Sequence, residues 1–545
     1  MKSFFSEKLC RLAVRNPDKK EGQEDGVRKL FQLLAWGEAK ISTASYERLP
    51  QGRENIECAQ DKQLKTLGQG FAGTAFAEKH DLRDSTLCYE KWREKIPVFL
   101  YDEKLAPDYP HTLSKEIQKT FDHPKESILW NHPIKHWAQT AGTTGGKKII
   151  PVPDEAIKNH HHAAATTLRH FVAQKGPSAL DGAHLAFGGT KKELPGGIRT
   201  LGDISHLTLS ASPLAAQMVP LKMEILGESD PQKKLDQIAE KTKNKNITGL
   251  AGIPKWHAEL VKRILRQEPG KTPREIWPNL KVFFHGGTPF GPYRELFEEW
   301  FPDADFRETY TASEGYFGAD VGQGEMQLFT QHGILHELIP VKDFRQFQAS
   351  GDERCLKESI RPCWDAEADQ EYVLVTTAPA FPRCVVGDVI QIHDSDRLTF
   401  SITGRVNHEL SAADEQLREG DMDQAIAALK QKFPVLTGEY CITYAEKGEN
   451  NSPRHLLVLE VEKTASENRE ALTRQYDEIL GEVNSKYGDN RRVNALGMPE
   501  IQLVPSGVFT QTMKRLGKEG GQNKVPRIDP GGNFIQTLQS VAREV

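Results

Sequence analysis

The sequence has few of the features that mark secreted, membrane-spanning or nucleic-acid-binding proteins. Its 545 residues include only seven cysteines, and no two of them form a Cys-x-x-Cys pair. The cysteines therefore indicate free thiols in a reducing compartment, not a disulfide framework or a zinc site. No run of about 18 apolar residues occurs, so no membrane-spanning helix is predicted. The formal net charge of -5 is weak for this length and argues against nucleic acid as the main partner.

A secretory signal is also missing from the start of the sequence. Met1–Lys8 is followed by no apolar stretch long enough for one, so a cytoplasmic protein is expected. A chain of this length exceeds the size at which one hydrophobic core stops growing. Two or more domains are therefore predicted.

Hydrophobic patterns predict a large α/β domain followed by a smaller one. Apolar residues at helical spacing over 256–265 precede a short buried strand, Lys281–His285, which ends at two glycines. After Arg405 helix and strand patterns alternate in a compact order. We therefore predict a large N-terminal domain over residues 1–404 and a small α/β domain over 405–545. The charged section 345–371 is predicted to be an irregular surface excursion.

Gln139–Lys148 is the most informative segment, with three threonines, three glycines and two lysines in ten residues. Glycines let backbone N–H groups approach an anion, threonine hydroxyls donate hydrogen bonds, and lysine supplies positive charge. This composition suits the phosphates of a nucleotide. The glycine spacing differs from that of the Walker loop, and Ile149–Pro153 with its two prolines favours extended chain where that loop needs a helix. An ordinary surface loop is the alternative interpretation.

Thr140–Lys148 resembles the S-S-G-T-T-G-x-P-K phosphate loop of the adenylate-forming superfamily. Phe284–Thr288 resembles the strand-to-glycine turn that lies beside the adenine in that superfamily. Glu308–Gly315 resembles the Y-x-x-S-E motif of one branch, the Gretchen-Hagen-type (auxin-responsive) acyl acid amido synthetases, and the approach to the glycine turn is similar to that of bacterial members. Further matches to this family are Gly333–Pro340, Gly387-Asp388 and Gln522–Arg527.

The resemblance implies an adenylate-forming, luciferase-like α/β fold, in which mixed sheets and flanking helices form the large domain and the small C-terminal domain is mobile. It also implies an ATP site. The residues expected to bind ATP are Thr140, Gly142, Thr143, Thr144, Gly145 and Lys148 at the β- and γ-phosphates, Gly286, Gly287 and Tyr310 near the adenine, and Ser313 at the α-phosphate.

The remaining roles implied by the resemblance concern charged residues. Glu314 is expected to bind Mg²⁺, for which a hard carboxylate oxygen suits. Asp388 is expected to accept hydrogen bonds from the ribose hydroxyls, and Arg405 to lie at the interdomain hinge and the ribose. Lys524 is the candidate catalytic lysine at the α-phosphate, with Lys514 in reserve.

Two features depart from this pattern or compete with it. The family's Tyr-Arg pair before Gly387-Asp388 is Cys384-Val385 here, and Arg383 could serve in part. His160–His162 invites a metal interpretation, but consecutive residues of a helix point in different directions, so a polar helix start is the preferred interpretation.

We therefore predict a magnesium- and ATP-dependent ligase that activates a small carboxylic acid as its acyl-adenylate. The acyl group would pass to an amine, foremost an amino acid, with release of AMP and pyrophosphate. A CoA or other thioester ligase remains an alternative, as does a nucleotide-binding regulator without catalysis. Neither nucleic acid nor membrane is expected as a partner, and the sequence does not give the acid, the acceptor or the oligomeric state.

Overall fold

The computed structural model describes residues 49–544 apart from short internal segments. The residues left out of the description are 1–48, 83–86, 102–105, 107–108, 140–147, 187–188, 195–198, 212–220, 222, 229, 289, 407–408, 411–414, 416, 446–452, 463–468, 493–494, 519–523 and 545.

The first part of the chain forms two sheets. The smaller one has the strand order β2-β1-β5-β4, and the larger has eleven strands in the order β12-β11-β13-β14-β15-β10-β9-β8-β7-β6-β3 among the described residues. The bounds of these strands are β1 (His136–Gln139), β2 (Ile149–Val152), β3 (Ala183–Ala186), β4 (Lys191–Glu193), β5 (Thr200–Gly202), β6 (Ile247–Gly252), β7 (Val282–Gly286), β8 (Asp305–Ala312), β9 (Gly315–Asp320), β10 (Met326–Leu328), β11 (Leu335–Pro340), β12 (Arg361–Pro362), β13 (Gln370–Ala378), β14 (Phe381–Asp394) and β15 (Thr399–Arg405).

Helices flank these sheets. Their bounds are α1 (Arg53–Phe71), α2 (Ala75–Lys79), α3 (Tyr89–Lys95), α4 (Ser114–Asp122), α5 (Asp154–Lys175), α6 (Ile204–Ser210), α7 (Met223–Leu226), α8 (Pro231–Thr242), α9 (Pro254–Gln267), α10 (Pro273–Ile276), α11 (Gly291–Trp300), α12 (Val341–Ser350) and α13 (Arg354–Ser359).

Helix α9 illustrates why these segments fold as they do. Pro254 occupies the first turn, where its missing N–H costs no hydrogen bond. Leu260, Val261 and Ile264 recur at helical spacing and are buried against the sheet. Each such side chain contributes roughly 1.5–3 kcal/mol by leaving water. The helix predicted from this spacing is confirmed.

The prediction for section 345–371 is wrong, because most of it is ordered and packed. It includes the end of α12, all of α13 and the short strand β12. Phe347, Leu356 and Ile360 are buried in one hydrophobic cluster. The charged residues between them face outward and hide the apolar spacing in the sequence. His160–His162 also lies well inside α5, not at its start, and His160 is buried.

The large sheet curves strongly in the region that brings distant segments together. Strands β15, β10 and β9 separate β14 from β8 in the sheet order, yet side chains of β8 and β14 touch. The pairing of β14 with β15 shifts register between Val389 and Ile390, and Gly387 has a φ of 96° just before that point. Bulges of this kind increase local twist and bend a strand. The end of β14 is thereby directed over β8.

The remaining chain forms a smaller α/β body after Arg405, where β15 ends. Its three-stranded sheet has the order β18-β19-β20, with a two-stranded hairpin of β16 and β17 before it. The elements are β16 (Glu409–Leu410), β17 (Leu417–Arg418), α14 (Glu419–Lys432), β18 (Leu436–Tyr444), β19 (His455–Val461), α15 (Arg469–Val483), α16 (Ser485–Arg492), β20 (Glu500–Pro505), α17 (Val508–Arg515) and α18 (Asn533–Ala542). β15 extends one residue beyond the predicted domain boundary.

Three general features of the described residues bear on function. None of the helices there is long and apolar enough to cross a bilayer. No group of three or more His, Cys, Asp or Glu side chains in the described part of the chain could hold a metal ion. The six cysteines that the structure describes are free thiols, as predicted.

Candidate active site

Ser313 and Glu314 form the tight turn between β8 and β9. Ala312 pairs with Gly315 on either side of them, so the two residues project from the end of a hairpin. A side chain at position 315 would collide with Ile334, since an added Cβ would lie 2.4 Å from its Cδ1 atom. Glycine therefore lets the turn pack against the sheet. The predicted Ser-Glu pair is thus held at a rigid strand end.

Asp388 lies beside this hairpin and is bound by two side chains. Its Oδ1 atom is 2.8 Å from Nε of Arg405, and its Oδ2 atom accepts a hydrogen bond of 2.6 Å from the Tyr310 hydroxyl. Asp388 and Arg405 are also paired across β14 and β15. These contacts fix the orientation of the carboxylate. Each carboxylate oxygen keeps a lone pair for a further donor, such as a ribose hydroxyl.

Tyr310 is packed into the protein core. It is 5% exposed, and its ring lies edge-on to Phe317 with the ring centroids 4.9 Å apart. Burial raises the pKa of the hydroxyl well above its ordinary value, and the adjacent Asp388 charge raises it further. The hydroxyl therefore stays protonated and acts as a hydrogen-bond donor to Asp388. Its predicted contact with adenine stays a prediction.

Glu314 lies within electrostatic range of three other candidate residues. Burial raises the pKa of its carboxyl, the charges of Lys148 and Arg405 lower it, and Asp388 raises it. Two carboxylates therefore share this region with two cations. The Glu314 carboxylate makes no ion pair among the described residues, so its desolvated charge is only partly compensated.

Lys148 is the last residue of the phosphate loop predicted from sequence and directly precedes β2. Its Nζ atom lies 4.6 Å from the centroid of the Tyr101 ring. The Tyr101 hydroxyl in turn donates to the carbonyl of Ile149 and accepts from its N–H, at 3.0 and 2.9 Å. Tyr101 thus fixes the first residue of β2, next to Lys148, and the contact between the ammonium and the ring face is of the cation–π type.

The glycine turn after β7 is built as the sequence predicts. An added Cβ at Gly286 would lie 2.3 Å from the Thr309 carbonyl oxygen, so only glycine fits between β7 and β8. Gly287 adopts a φ of 76°, which a side chain would strain. The Thr288 hydroxyl is buried and has no hydrogen-bond partner within the described structure. This orphan donor suits an incoming polar ligand.

Lys524 comes close to Asp388 and Arg405 from the far end of the chain. Desolvation lowers the pKa of its ammonium, as does Arg405, while Glu419 and Asp388 raise it. Lys524 is nevertheless exposed at the surface. Its side chain is thus accessible to solvent, while its charge acts within electrostatic range of Asp388.

The structure therefore brings together six of the nine predicted site residues that it describes. Those in one electrostatic neighbourhood are Lys148, Tyr310, Glu314, Asp388, Arg405 and Lys524. The predicted loop residues Thr140, Gly142, Thr143, Thr144 and Gly145 lie outside the described residues.

Arg383 does not belong to this group. The prediction that it partly replaces the family's Tyr-Arg pair is therefore wrong. Its guanidinium forms a buried ion pair with Glu337 at 2.8 Å and donates to the backbone carbonyls of Arg93 and Ile96. Cys384 is fully buried in the core. Tyr310 and Arg405 instead make the contacts that orient Asp388.

Sequence analysis missed Tyr101 and Glu419 as neighbours of the site. Tyr101 is separated from Lys148 by a stretch of chain that includes α4 and β1, and nothing in its local sequence marks a stacking role. Glu419 begins α14, where an acid is ordinarily explained by the helix dipole. Only the tertiary fold shows that its charge acts on Lys524.

The donor set fits a nucleotide with a bound divalent cation. Two lysines and an arginine can meet phosphate charge, and a partly compensated carboxylate, that of Glu314, offers a hard oxygen ligand. Because fewer than three His, Cys, Asp or Glu ligands gather here among the residues that the structure describes, an ion of this kind would take other ligands from phosphate and water, which is how Mg²⁺ is usually held.

Family comparisons agree with this arrangement. The GH3 family N-terminal domain matches residues 46–215 and 214–306, and the GH3 family C-terminal domain matches residues 420–529. Together these segments cover more than half of the chain. One relative is the indole-3-acetic acid-amido synthetase GH3.3 of Arabidopsis thaliana, 22% identical over 565 residues that span 89% of this chain and 91% of the relative. Another is GH3.8 of Oryza sativa subsp. indica, 23% identical over 571 residues, or 89% and 90% of the two chains.

Solved structures share the fold. The GH3.15 acyl acid amido synthetase superposes with a TM-score of 0.71 at 15% identity, covering 92% of this chain and 96% of that one. A 2-hydroxyisobutyryl-CoA ligase in the postadenylation state gives a TM-score of 0.57 at 14% identity, covering 91% and 94%. The predicted adenylate-forming α/β fold is thus confirmed, and the chain belongs to the GH3 family.

Proposed function

We propose that this protein is an ATP-dependent ligase that joins a small carboxylic acid to an amine, foremost an amino acid. The observation that carries the proposal is the convergence of Lys148, Glu314, Asp388 and Lys524 from distant parts of the chain. The names of the relatives from Arabidopsis thaliana and Oryza sativa support the same reaction class.

The proposed reaction overcomes the low reactivity of a carboxylate. Its negative charge repels nucleophiles, and oxide cannot leave. Attack of the carboxylate on the α-phosphate of ATP forms an acyl-adenylate and releases pyrophosphate. The amine nitrogen then attacks the acyl carbon, AMP departs with the C–O bond electrons, and the amine loses a proton. One amide, one AMP and one pyrophosphate are formed for each ATP.

Each residue of the cleft has a proposed part in binding or charge stabilisation. Asp388, oriented by Tyr310 and Arg405, would accept hydrogen bonds from the ribose hydroxyls. Lys148 would pair with the outer phosphates. Lys524 would face the α-phosphate, where negative charge gathers in the first step, and stabilise it electrostatically.

Glu314 is the proposed magnesium ligand. A bound Mg²⁺ would supply positive charge at the phosphates. Burial and the neighbouring Asp388 raise the pKa of Glu314, so a cation that binds there would compensate a carboxylate that the protein alone leaves under-paired. The charges of the protein itself therefore support a cation site at Glu314.

The domain movement and the cellular setting also stay predictions. Withdrawal of Lys524 after the first step would make room for the amine, which is why the small domain is expected to rotate between steps. The free thiols favour a reducing, cytoplasmic compartment. The sequence Trp277–Lys281 before the glycine turn supports placement in the bacterial branch of the family.

Acid-dependent exchange of labelled pyrophosphate into ATP tests the first step. Aromatic, fatty and hydroxy acids would be assayed one at a time, and we expect exchange with at least one class. With that acid, mass spectrometry would follow products formed from a mixture of amino acids and, separately, from CoA. An amide product supports the proposal.

Two results would contradict it. A thioester without any amide would assign the chain to the thioester ligases. ATP binding without exchange for any acid would indicate a nucleotide-binding regulator. Lys148→Ala provides the site control, since its exchange should fall well below that of the wild type if the cleft is the reaction site.

A further inference from the structure

We infer that Glu439 is a positioning residue for Lys524, and that its ion pair with Lys255 selects the domain orientation used in the first half-reaction. The inference rests on the proposed role of Lys524 in adenylate formation. Glu439 and Lys524 belong to the small domain, whereas Lys255 lies in the first turn of α9 in the large domain.

The Glu439 carboxylate connects the two domains with its two oxygen atoms. Its Oε1 atom lies 2.9 Å from Nζ of Lys255 and 3.4 Å from the hydroxyl of Tyr293, both in the large domain. Its Oε2 atom lies 3.1 Å from Nη1 of Arg527 in the small domain. One carboxylate thus bridges a cation from each side of the interface.

Arg527 transmits this contact to the segment that carries Lys524. The carbonyl of Arg527 accepts a hydrogen bond of 2.9 Å from the N–H of Ile442 on β18, the strand that also contains Glu439. The guanidinium lies 4.6 Å from the centroid of the Tyr440 ring. Because only two residues separate Lys524 from Arg527, fixing Arg527 restricts where the lysine can reach.

Attraction between opposite charges keeps the Glu439 carboxylate ionised, although burial alone would disfavour its charge. Desolvation would raise the pKa of Glu439, but Lys255 and Arg527 lower it to about 2, so the carboxylate is charged at neutral pH. The side chains of Glu439 and Arg527 are each 12% exposed, which limits screening by solvent. Loss of one cation would therefore leave a poorly compensated charge inside the interface.

The bridge is specific to one orientation of the domains. Lys255 and Glu439 are carried by different domains, so we expect the rotation that withdraws Lys524 from Asp388 to separate them as well. The pair consequently favours the orientation in which Lys524 faces the ATP cleft. A ligand or contact that stabilises one of two states shifts their populations by its differential free energy.

Lys255→Met tests the inference with little risk to folding, since the lysine side chain is 43% exposed. We expect acid-dependent pyrophosphate exchange to slow by about tenfold. Amide formation from added acyl-adenylate, prepared with the acid that supports exchange, should stay at the wild-type rate or rise. Lys255→Arg should restore most of the exchange.

Lys262→Met is the matched control, because it removes an exposed lysine from the same helix without touching Glu439. It should leave both half-reactions unchanged. Thermal unfolding of every variant would verify that the comparison concerns folded protein.

The outcomes separate this inference from the role on which it rests. Wild-type exchange by Lys255→Met, or equal slowing of both half-reactions, would overturn the positioning role of Glu439. Lys524→Ala is measured alongside. If Lys524→Ala exchanged at the wild-type rate, the proposed role of Lys524 and the inference about Glu439 would both be wrong. If Lys524→Ala lost exchange while Lys255→Met kept it, the interdomain bridge alone would be wrong.

Discussion

At the scale of single residues, three glutamates show that the partners of a carboxylate determine its role. Glu337 is paired with Arg383 and accepts a hydrogen bond from Tyr89, so its charge is compensated inside the core. Glu439 binds two cations across a domain interface. Glu314 has no ion pair among the described residues, and burial raises its pKa. Of the three, only Glu314 is prepared for a cation from outside the protein.

Glu314→Gln should therefore weaken catalysis more than folding. An amide is a poorer ligand for Mg²⁺ than a carboxylate, and we expect pyrophosphate exchange to fall on the order of 10²–10³-fold. The thermal midpoint without nucleotide should be unchanged or higher, because the variant no longer buries a charge. Exchange assays and calorimetric unfolding measure the two effects.

Glu308→Gln serves as the control for this prediction. Glu308 lies on β8, the strand that leads into the turn with Glu314, and burial raises its pKa too, but it is not a proposed magnesium ligand. Its exchange rate should stay near that of the wild type. If Glu314→Gln exchanged as fast as the wild type at moderate magnesium concentration, the assignment of Glu314 would be wrong.

Residue identities in the site were predictable from sequence, but their pairings were not. Glu314 and Asp388 could be named because short motifs contain them. The hydrogen bond between Tyr310 and Asp388 joins strands that are not neighbours in the sheet, so no local pattern encodes it. Glu439 lies on an ordinary strand, and only its distant partners reveal its position at the interface.

At the scale of secondary-structure elements, the bend in β14 is the feature that matters most for the site. Gly387 has a φ of 96° and directly precedes Asp388. An added Cβ would meet nothing closer than 3.9 Å, so space is available and the constraint is the backbone conformation itself. A side chain there would push the strand toward regular pairing and displace the carboxylate.

Gly387→Ala should lower stability by about 1 kcal/mol and raise the KM for ATP several-fold. The change in KM follows from displacement of Asp388, whereas the change in stability follows from strain at positive φ. Gly351→Ala is a fitting comparison, since Gly351 ends α12 with a φ of 69° far from the proposed ATP contacts in the sequence. It should lose similar stability with no change in KM. An unaltered KM in Gly387→Ala would count against the role of the bend.

Elements were predicted well where the apolar pattern was clear, as in α9 and β7. The prediction failed over 345–371 because charged residues interrupt the buried set Phe347, Leu356 and Ile360. Bulges and register shifts in β14 were not predictable, because they depend on pairing with β13 and β15. The strands were therefore predictable from local sequence, but the curvature of the sheet around the site was not.

At the scale of the whole molecule, the cleft depends on two domains that meet over it. Lys148, Glu314 and Asp388 come from the large domain, and Lys524 comes from the C-terminal segment of the small one. Contacts at the interface, including Lys255 with Glu439 and Arg418 with Glu371, hold the domains in the orientation described. Family resemblance predicted this assembly, whereas composition and charge alone only excluded other classes.

A crystal structure of the protein with Mg²⁺ and α,β-methylene-ATP, which cannot be cleaved between the α- and β-phosphates, tests the central claim most directly. We predict a single nucleotide whose ribose hydroxyls contact Asp388, whose phosphates lie by Lys148 and Lys524, and whose magnesium is bound by Glu314. A nucleotide bound elsewhere, or one that leaves Asp388 and Glu314 without contact, would contradict the account.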